Sequence, residues 1–215
     1  MEAEFWLARW QNNELGFQLD DVHPLLQRCL PQVLGQHKRV FVPLCGKSLD
    51  MCYLATFLPV TGVELSQIAC DDFFSAYQQP SQQLSVPPFH RYSSERITLW
   101  QGDFFALSPA QLEGASLVYD RAALIALPEQ MRQQYAAKLR RLLPAGSTIL
   151  LISLEYPQHE KQGPPFSVTA AEIGRLFQGA DIQLMAELEQ TGKGFARRRF
   201  ATSYLVERAY RIRLP

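Results

Sequence analysis

Two hydrophobic rhythms divide the chain. Residues 2–12 and 22–34 repeat their apolar positions at three- and four-residue intervals, which predicts two amphipathic helices, with Pro31 as a breaker within the second. Trp6 and Trp10 fall on one face of the first, at i and i+4. From residue 39 onward, short β-branched runs alternate with longer helical patterns. The runs predict strands at 39–44, 60–64, 97–102, 115–120, 147–154, 182–189 and 200–211. Between them, helical periodicity predicts helices at 48–57, 66–78, 128–143 and 169–178. The Gln-, Ser- and Pro-rich stretch 79–96 reads as an insertion loop.

Strand followed by helix, repeated, argues for a mostly parallel sheet covered on both faces. The near-continuous apolar run 147–154 suits a strand buried on both sides. Only residues 190–199 separate the last two strands, too few for a crossover helix, so that pair is expected to be antiparallel. The expected fold is therefore α/β, a three-layer sandwich around a seven-stranded, mostly parallel, Rossmann-like sheet of the methyltransferase type with an antiparallel final strand. No repeat or boundary interrupts it, so residues 1–215 are expected to form a single domain with residues 1–38 as an amino-terminal helical segment.

Within this pattern, the run Val40-Phe41-Val42-Pro43-Leu44-Cys45-Gly46-Lys47-Ser48 is the most informative. A strand enters a glycine turn and then a helix, and eighteen residues beyond Gly46 the next strand ends on Glu64. An acidic residue about 20 positions past such a turn can accept both hydroxyls of a ribose. The Gly-Lys-Ser triplet also matches the tail of a phosphate-binding loop, but the glycine that such a loop needs five residues earlier is Phe41. A full Gly-x-Gly-x-x-Gly signature is missing too, and an ordinary buried strand and turn remains the alternative.

Other polar groups fall at expected strand ends: Asp103 before Phe104-Phe105, Asp120-Arg121, and Glu155-Tyr156. Ligands of open α/β sheets bind along this edge. Asp103 and Phe104 could bond and stack on an adenine, or Asp103 could merely cap a turn. Arg121 could hold an anionic substrate, or pair locally. The turn 192–199 carries Arg197 and Arg198 near the same rim. Trp10 and Phe17, outside the alternating pattern, could be core residues or a lid over the site.

Composition narrows the setting. The 21 basic residues balance the 21 acidic ones, which gives no electrostatic case for a nucleic-acid or membrane partner. No apolar run reaches the ~18 residues of a spanning helix. The four cysteines form no Cys-x-x-Cys pair and the four histidines are scattered, so no metal site is expected and a reducing, cytoplasmic setting is.

The chain resembles the thiopurine S-methyltransferases of bacteria. The resemblance rests on Phe5-Trp6-Leu7-Ala8-Arg9-Trp10, Gly16-Phe17, Pro43-Leu44-Cys45-Gly46-Lys47-Ser48 with Asp50-Met51, Gly62-Val63-Glu64-Leu65-Ser66, Gly102-Asp103-Phe104-Phe105, Tyr119-Asp120-Arg121-Ala122-Ala123-Leu124 and Gly163-Pro164-Pro165-Phe166. These pieces span nearly the whole chain. The Pro-Leu-Cys-Gly-Lys-Ser piece is the most specific, because it replaces the glycine-rich turn usual in methyltransferases.

The resemblance implies S-adenosyl-L-methionine as cofactor and a small aromatic or heterocyclic thiol as substrate. It implies that Trp10, Leu44, Glu64, Asp103 and Phe104 bind the cofactor, and that Phe17 lines the substrate pocket. Arg121 would touch cofactor and substrate and be the catalytic residue, and Arg197 or Arg198 would face the substrate. A monomer is expected. Methylation of selenium or tellurium compounds, or cofactor binding without catalysis, are the alternatives. One departure stands out: Gln18 occupies the position where the family usually has His after Gly-Phe.

Overall fold

The computed structural model describes residues 3–77, 81–195 and 198–215, with side chains left out of the description at 194–199. Helices α1 (Ala3–Gln11) and α2 (Pro24–Val33) precede the sheet. The strands are β1 (Val40–Val42), β2 (Val60–Glu64), β3 (Gln82–Val86), β4 (Phe89–Ser93), β5 (Ile97–Gln101), β6 (Leu117–Arg121), β7 (Thr148–Glu155), β8 (Asp181–Glu189), β9 (Gly194–Phe195), β10 (Arg198–Arg199) and β11 (Val206–Arg213). Four further helices, α3 (Asp50–Ala55), α4 (Gln67–Ala76), α5 (Glu129–Leu142) and α6 (Ala170–Leu176), connect them.

Successive side chains of a strand point to opposite faces, and here both faces are dry. Val40 and Val42 join the helices α2, α3 and α4 in one buried cluster, whereas Phe41 between them joins α5 and α6 in the other. The β7 run alternates in the same way over its first five residues, Ile149 and Leu151 to one side and Leu150 and Ile152 to the other. A strand that serves two cores has no polar face, which explains its unbroken apolar pattern. The result is three layers, helix–sheet–helix.

The main sheet has the order β3-β4-β5-β2-β1-β6-β7-β11-β8. Five central strands are parallel, and β11 pairs antiparallel with both β7 and β8. Nine strands, not seven, make this sheet, because residues 82–93 are not a loop. They form the antiparallel hairpin β3–β4, and β4 pairs antiparallel with β5. Four of the five β3 residues are exposed, so that strand is held by backbone pairing and leaves no hydrophobic alternation to read. Only Phe89 and Tyr92 of β4 are buried.

Three more expectations shift. The last strand begins at Val206 rather than 200, and the small hairpin β9–β10 occupies the connection before it. Pro31 does not break α2. It lies on the exposed side of a helix whose Leu25, Leu26, Cys29, Leu30 and Val33 are buried, and that face holds the helix together past the missing N–H. The helix expected at 48–57 contracts to Asp50–Ala55, since Gly46 to Leu49 are spent on the turn.

Chain order reverses across β1: β2 lies on one side and β6 on the other. This topological switch opens a crevice at the carboxyl ends of the parallel strands, the place where such sheets take ligands.

Candidate active site

The turn after β1 is bent by two residues in the left-handed region, Leu44 at φ 46° and Gly46 at φ 52°. Glycine takes this conformation freely, but leucine is strained there by roughly 1–3 kcal/mol. At Gly46 the space is also limited, since a Cβ would stand 3.3 Å from the Trp10 indole. What holds the turn is Glu64 at the end of β2. One of its carboxylate oxygens accepts the Gly46 N–H at 2.9 Å, and the other accepts the Ser66 N–H at 2.8 Å.

Glu64 is buried, and that burial pushes its pKa up against the pull of the backbone N–H donors from Ser66 and Gly46. The Leu65 N–H pulls in the same direction. Glu64 lines a cavity of about 300 Å³.

Every site residue expected from the sequence, other than those near 197, borders this one cavity. Leu44 and Gly46 form one side with Glu64, and Asp103 and Phe104 stand at the end of β5. Asp103 does serve as a cap: it accepts the Phe105 N–H at 2.9 Å. That bond uses one oxygen, and the exposed side chain still borders the cavity. Phe104 is buried, its ring tilted against Tyr135 with centroids 4.8 Å apart.

Trp10 and Phe17 close the cavity from the amino-terminal segment, in edge-to-face contact at 5.7 Å, with Trp6 edge-on to Phe17 at 5.9 Å. Gln18 fixes this segment to the turn, its Nε2 donating to the Lys47 carbonyl at 3.1 Å. The Lys47 ammonium pairs with Asp72 at 2.7 Å and lies 5.9 Å from the Trp10 ring. It does not line the cavity, which with Phe41 in place of the required glycine counts against the phosphate-loop reading of Gly46-Lys47-Ser48.

Arg121 ends β6 and borders the cavity. Its charge reaches the buried Glu207 carboxylate and helps to hold that group's pKa down, with no hydrogen bond or ion pair fixing the guanidinium among the described residues. Ala122, next in the chain, is left-handed at φ 59°. Glu155, the remaining polar strand end, is instead engaged with Arg208. Arg197 lies outside the described residues, and of Arg198 only the backbone, in β10, is described. No group of His, Cys, Asp and Glu among the described residues could hold a metal ion.

The cavity also has walls that pattern reasoning passed over. Met131 and Tyr135 come from α5, and Pro164, Pro165 and Phe200 close the side opposite the turn. The first two fall within the helix expected at 128–143, whose repeat gave them no part in a site. Phe200 was assigned to a strand, although it sits buried in the loop before β11.

A family model for thiopurine S-methyltransferase matches residues 1–214. The chain belongs to that family. A thiopurine S-methyltransferase of Pseudomonas paraeruginosa is 50% identical over 175 residues, 80% of this chain and 80% of its own. One from Pseudomonas fluorescens is 42% identical over 215 residues, covering 99% of this chain and 97% of its own. Among solved structures, an S-adenosylmethionine-dependent methyltransferase of Anabaena variabilis shares the fold with a TM-score of 0.65 at 16% identity, over 98% of this chain and 94% of its own.

Proposed function

We propose that this member of the thiopurine S-methyltransferase family moves a methyl group from S-adenosyl-L-methionine to the sulfur of a small aromatic or heterocyclic thiol such as a thiopurine. The observation that carries the reading is one cavity lined by a buried carboxylate, an aromatic edge and a guanidinium. The cofactor fits the donor set. Glu64 offers its carboxylate to the ribose hydroxyls from the cavity wall. Asp103 has a second oxygen for an adenine amino group, beside the apolar face of Phe104. The left-handed turn at Leu44 and Gly46 removes side-chain bulk where the methionine portion would run, and Trp10 covers it.

When bound, the cofactor supplies an electrophilic methyl on a sulfonium. The remaining work falls to the protein. Arg121, a permanent cation that lines the cavity, lowers the pKa of a thiol placed beside it and holds the thiolate. Thiopurines are already partly anionic near neutral pH, so no general base is needed. Residues 1–38 act as a lid within a single domain, with Trp10 and Phe17 excluding water and strengthening the field of Arg121. Phe17 and one of Arg197 or Arg198 complete the substrate side.

All four cysteines are free, three of them buried, which supports a reducing cytoplasmic setting. The test is methyl transfer from labelled S-adenosyl-L-methionine to 6-mercaptopurine and to its oxygen counterpart, hypoxanthine. Methylation of the thiol alone supports the reading. Cofactor binding without product from any thiol would overturn it.

A further inference from the structure

Arg121 raises a physical question that its surroundings answer. The Glu207 carboxylate lies within electrostatic reach of Arg121, but no hydrogen bond or ion pair among the described residues fixes the guanidinium, and the backbone just after it is strained: Ala122 sits at φ 59°, a costly conformation for a residue with a Cβ. Something must hold that turn. Asp120, immediately before Arg121, is 1% exposed and spans it. Its Oδ1 accepts the Leu124 N–H at 3.1 Å, and its Oδ2 accepts the Tyr135 hydroxyl at 2.7 Å. The first bond closes the turn from 120 to 124. The second ties it to α5, which forms the cavity wall.

We propose that Asp120 is a positioning residue for methyl transfer: by holding the left-handed turn at Ala122 from both ends, it aims Arg121 into the cavity. The inference rests on the reading of Arg121 as the cation that favours the thiolate. A carboxylate bonded in this way, buried under a strained turn, is expensive to maintain, and packing alone would be served by an apolar side chain. Its bonding partners join the loop that carries Arg121 to the rigid helix behind it. Asp120 itself does not line the cavity, so it acts only through its neighbour.

The experiment is a double-mutant cycle on kcat/KM for a thiol at saturating S-adenosyl-L-methionine, with circular dichroism as the check on folding. Asp120→Ala is expected to lose about tenfold or more in kcat/KM for the thiol, since small misplacements of a catalytic group carry such costs. The KM for the cofactor should stay within about twofold, because the Glu64 side of the cavity is untouched. In the Asp120→Ala/Arg121→Ala double variant the loss should match that of Arg121→Ala alone. Asp120→Asn should recover to within about threefold of wild type, since its carbonyl still accepts from Leu124 and the Tyr135 hydroxyl can accept from its amide. If Asp120→Ala does not fold, Tyr135→Phe replaces it in the cycle, removing one donor and leaving the ring. Additive losses, or a wild-type rate in Asp120→Ala, overturn the inference while leaving Arg121 in place. A wild-type rate in Arg121→Ala overturns the reading and the inference together.

Discussion

Glu64 carries two loads at the residue scale. It holds the Gly46 and Ser66 amides, and on the proposed reading it accepts from the cofactor's ribose. Glu64→Ala removes both, so a loss of binding could come from a collapsed turn. Glu64→Gln is milder, since it keeps the volume and one acceptor oxygen, but its amide nitrogen opposes one of the two backbone N–H groups and the turn loses that bond. Calorimetric titration with S-adenosyl-L-methionine should show Glu64→Gln weaker by roughly 1.5–3 kcal/mol, the worth of one charged hydrogen bond, with the melting temperature lowered by the lost turn contact. Unchanged affinity in the folded variant would remove the ribose assignment. Arg121 permits a kinetic test of the same kind. If it lowers the thiol's pKa, the rate of Arg121→Ala should recover as rising pH supplies thiolate, and Arg121→Lys should keep part of the neutral rate through its charge. Superimposable pH–rate profiles for the three proteins would leave Arg121 without a catalytic part. Both residues were legible in the sequence, since a carboxylate and a cation at strand ends are visible as letters. The left-handed Leu44 and Ala122 were not, because nothing in a leucine or an alanine announces a positive φ.

Among the elements, the amino-terminal segment is the one whose role can be separated from the fold. Trp10 and Leu15 pack with Ala69 in a small cluster apart from the two that flank the sheet. Deleting residues 1–18 should therefore leave the far-ultraviolet circular dichroism of the sheet in place while cutting turnover by about tenfold or more, as water enters the cavity and the field of Arg121 weakens. A folded, fully active truncation would make Trp10 and Phe17 packing residues only. The periodicity of α1 was enough to show a helix, but which of its faces met a cavity depended on contacts far along the chain, Gln18 to Lys47 among them. The hairpin β3–β4 marks the opposite limit. Main-chain hydrogen bonds do not depend on side-chain identity, so an edge strand reading Gln-Gln-Leu-Ser-Val, exposed at four of five positions, has the composition of a loop. Buried central strands had no such ambiguity, because two dry faces require continuous apolar residues.

Taken as a whole, the molecule keeps ionisable groups buried or half-buried at both ends of the parallel strands, and these connect stability to pH in opposing directions. Burial raises the pKa of Asp120 from 3.8 to about 6, against the hydrogen bonds from Tyr135 and Leu124 that favour its ionised form. Between those two values the folded state binds a proton that the unfolded chain has released, so stability falls as pH rises through the window and is regained on acidification. His37 works the other way: burial lowers its pKa below 6.5, and acid draws stability out. Glu207 is held below its usual 4.5 despite burial, chiefly by its hydrogen bond from His23. It contributes stability above that value and loses it as pH falls through its folded pKa. A melting curve of the wild type would mix all three, so the informative quantity is the difference from Asp120→Asn, which leaves His37 and Glu207 alone. Near pH 4 both proteins carry a neutral side chain at 120, and the difference reflects geometry only. By pH 7.5 the wild type bears an ionised buried carboxylate and the variant does not. The stability of Asp120→Asn relative to wild type should therefore rise by roughly 2 kcal/mol between these pH values, several degrees in melting temperature. Denaturant titrations at half-unit pH steps would trace it. A difference that stays flat with pH would mean that Asp120 titrates in the folded interior as it does in the unfolded chain, its hydrogen bonds offsetting the cost of burial, and a rising one would measure the stability the molecule forgoes to keep a carboxylate behind Arg121.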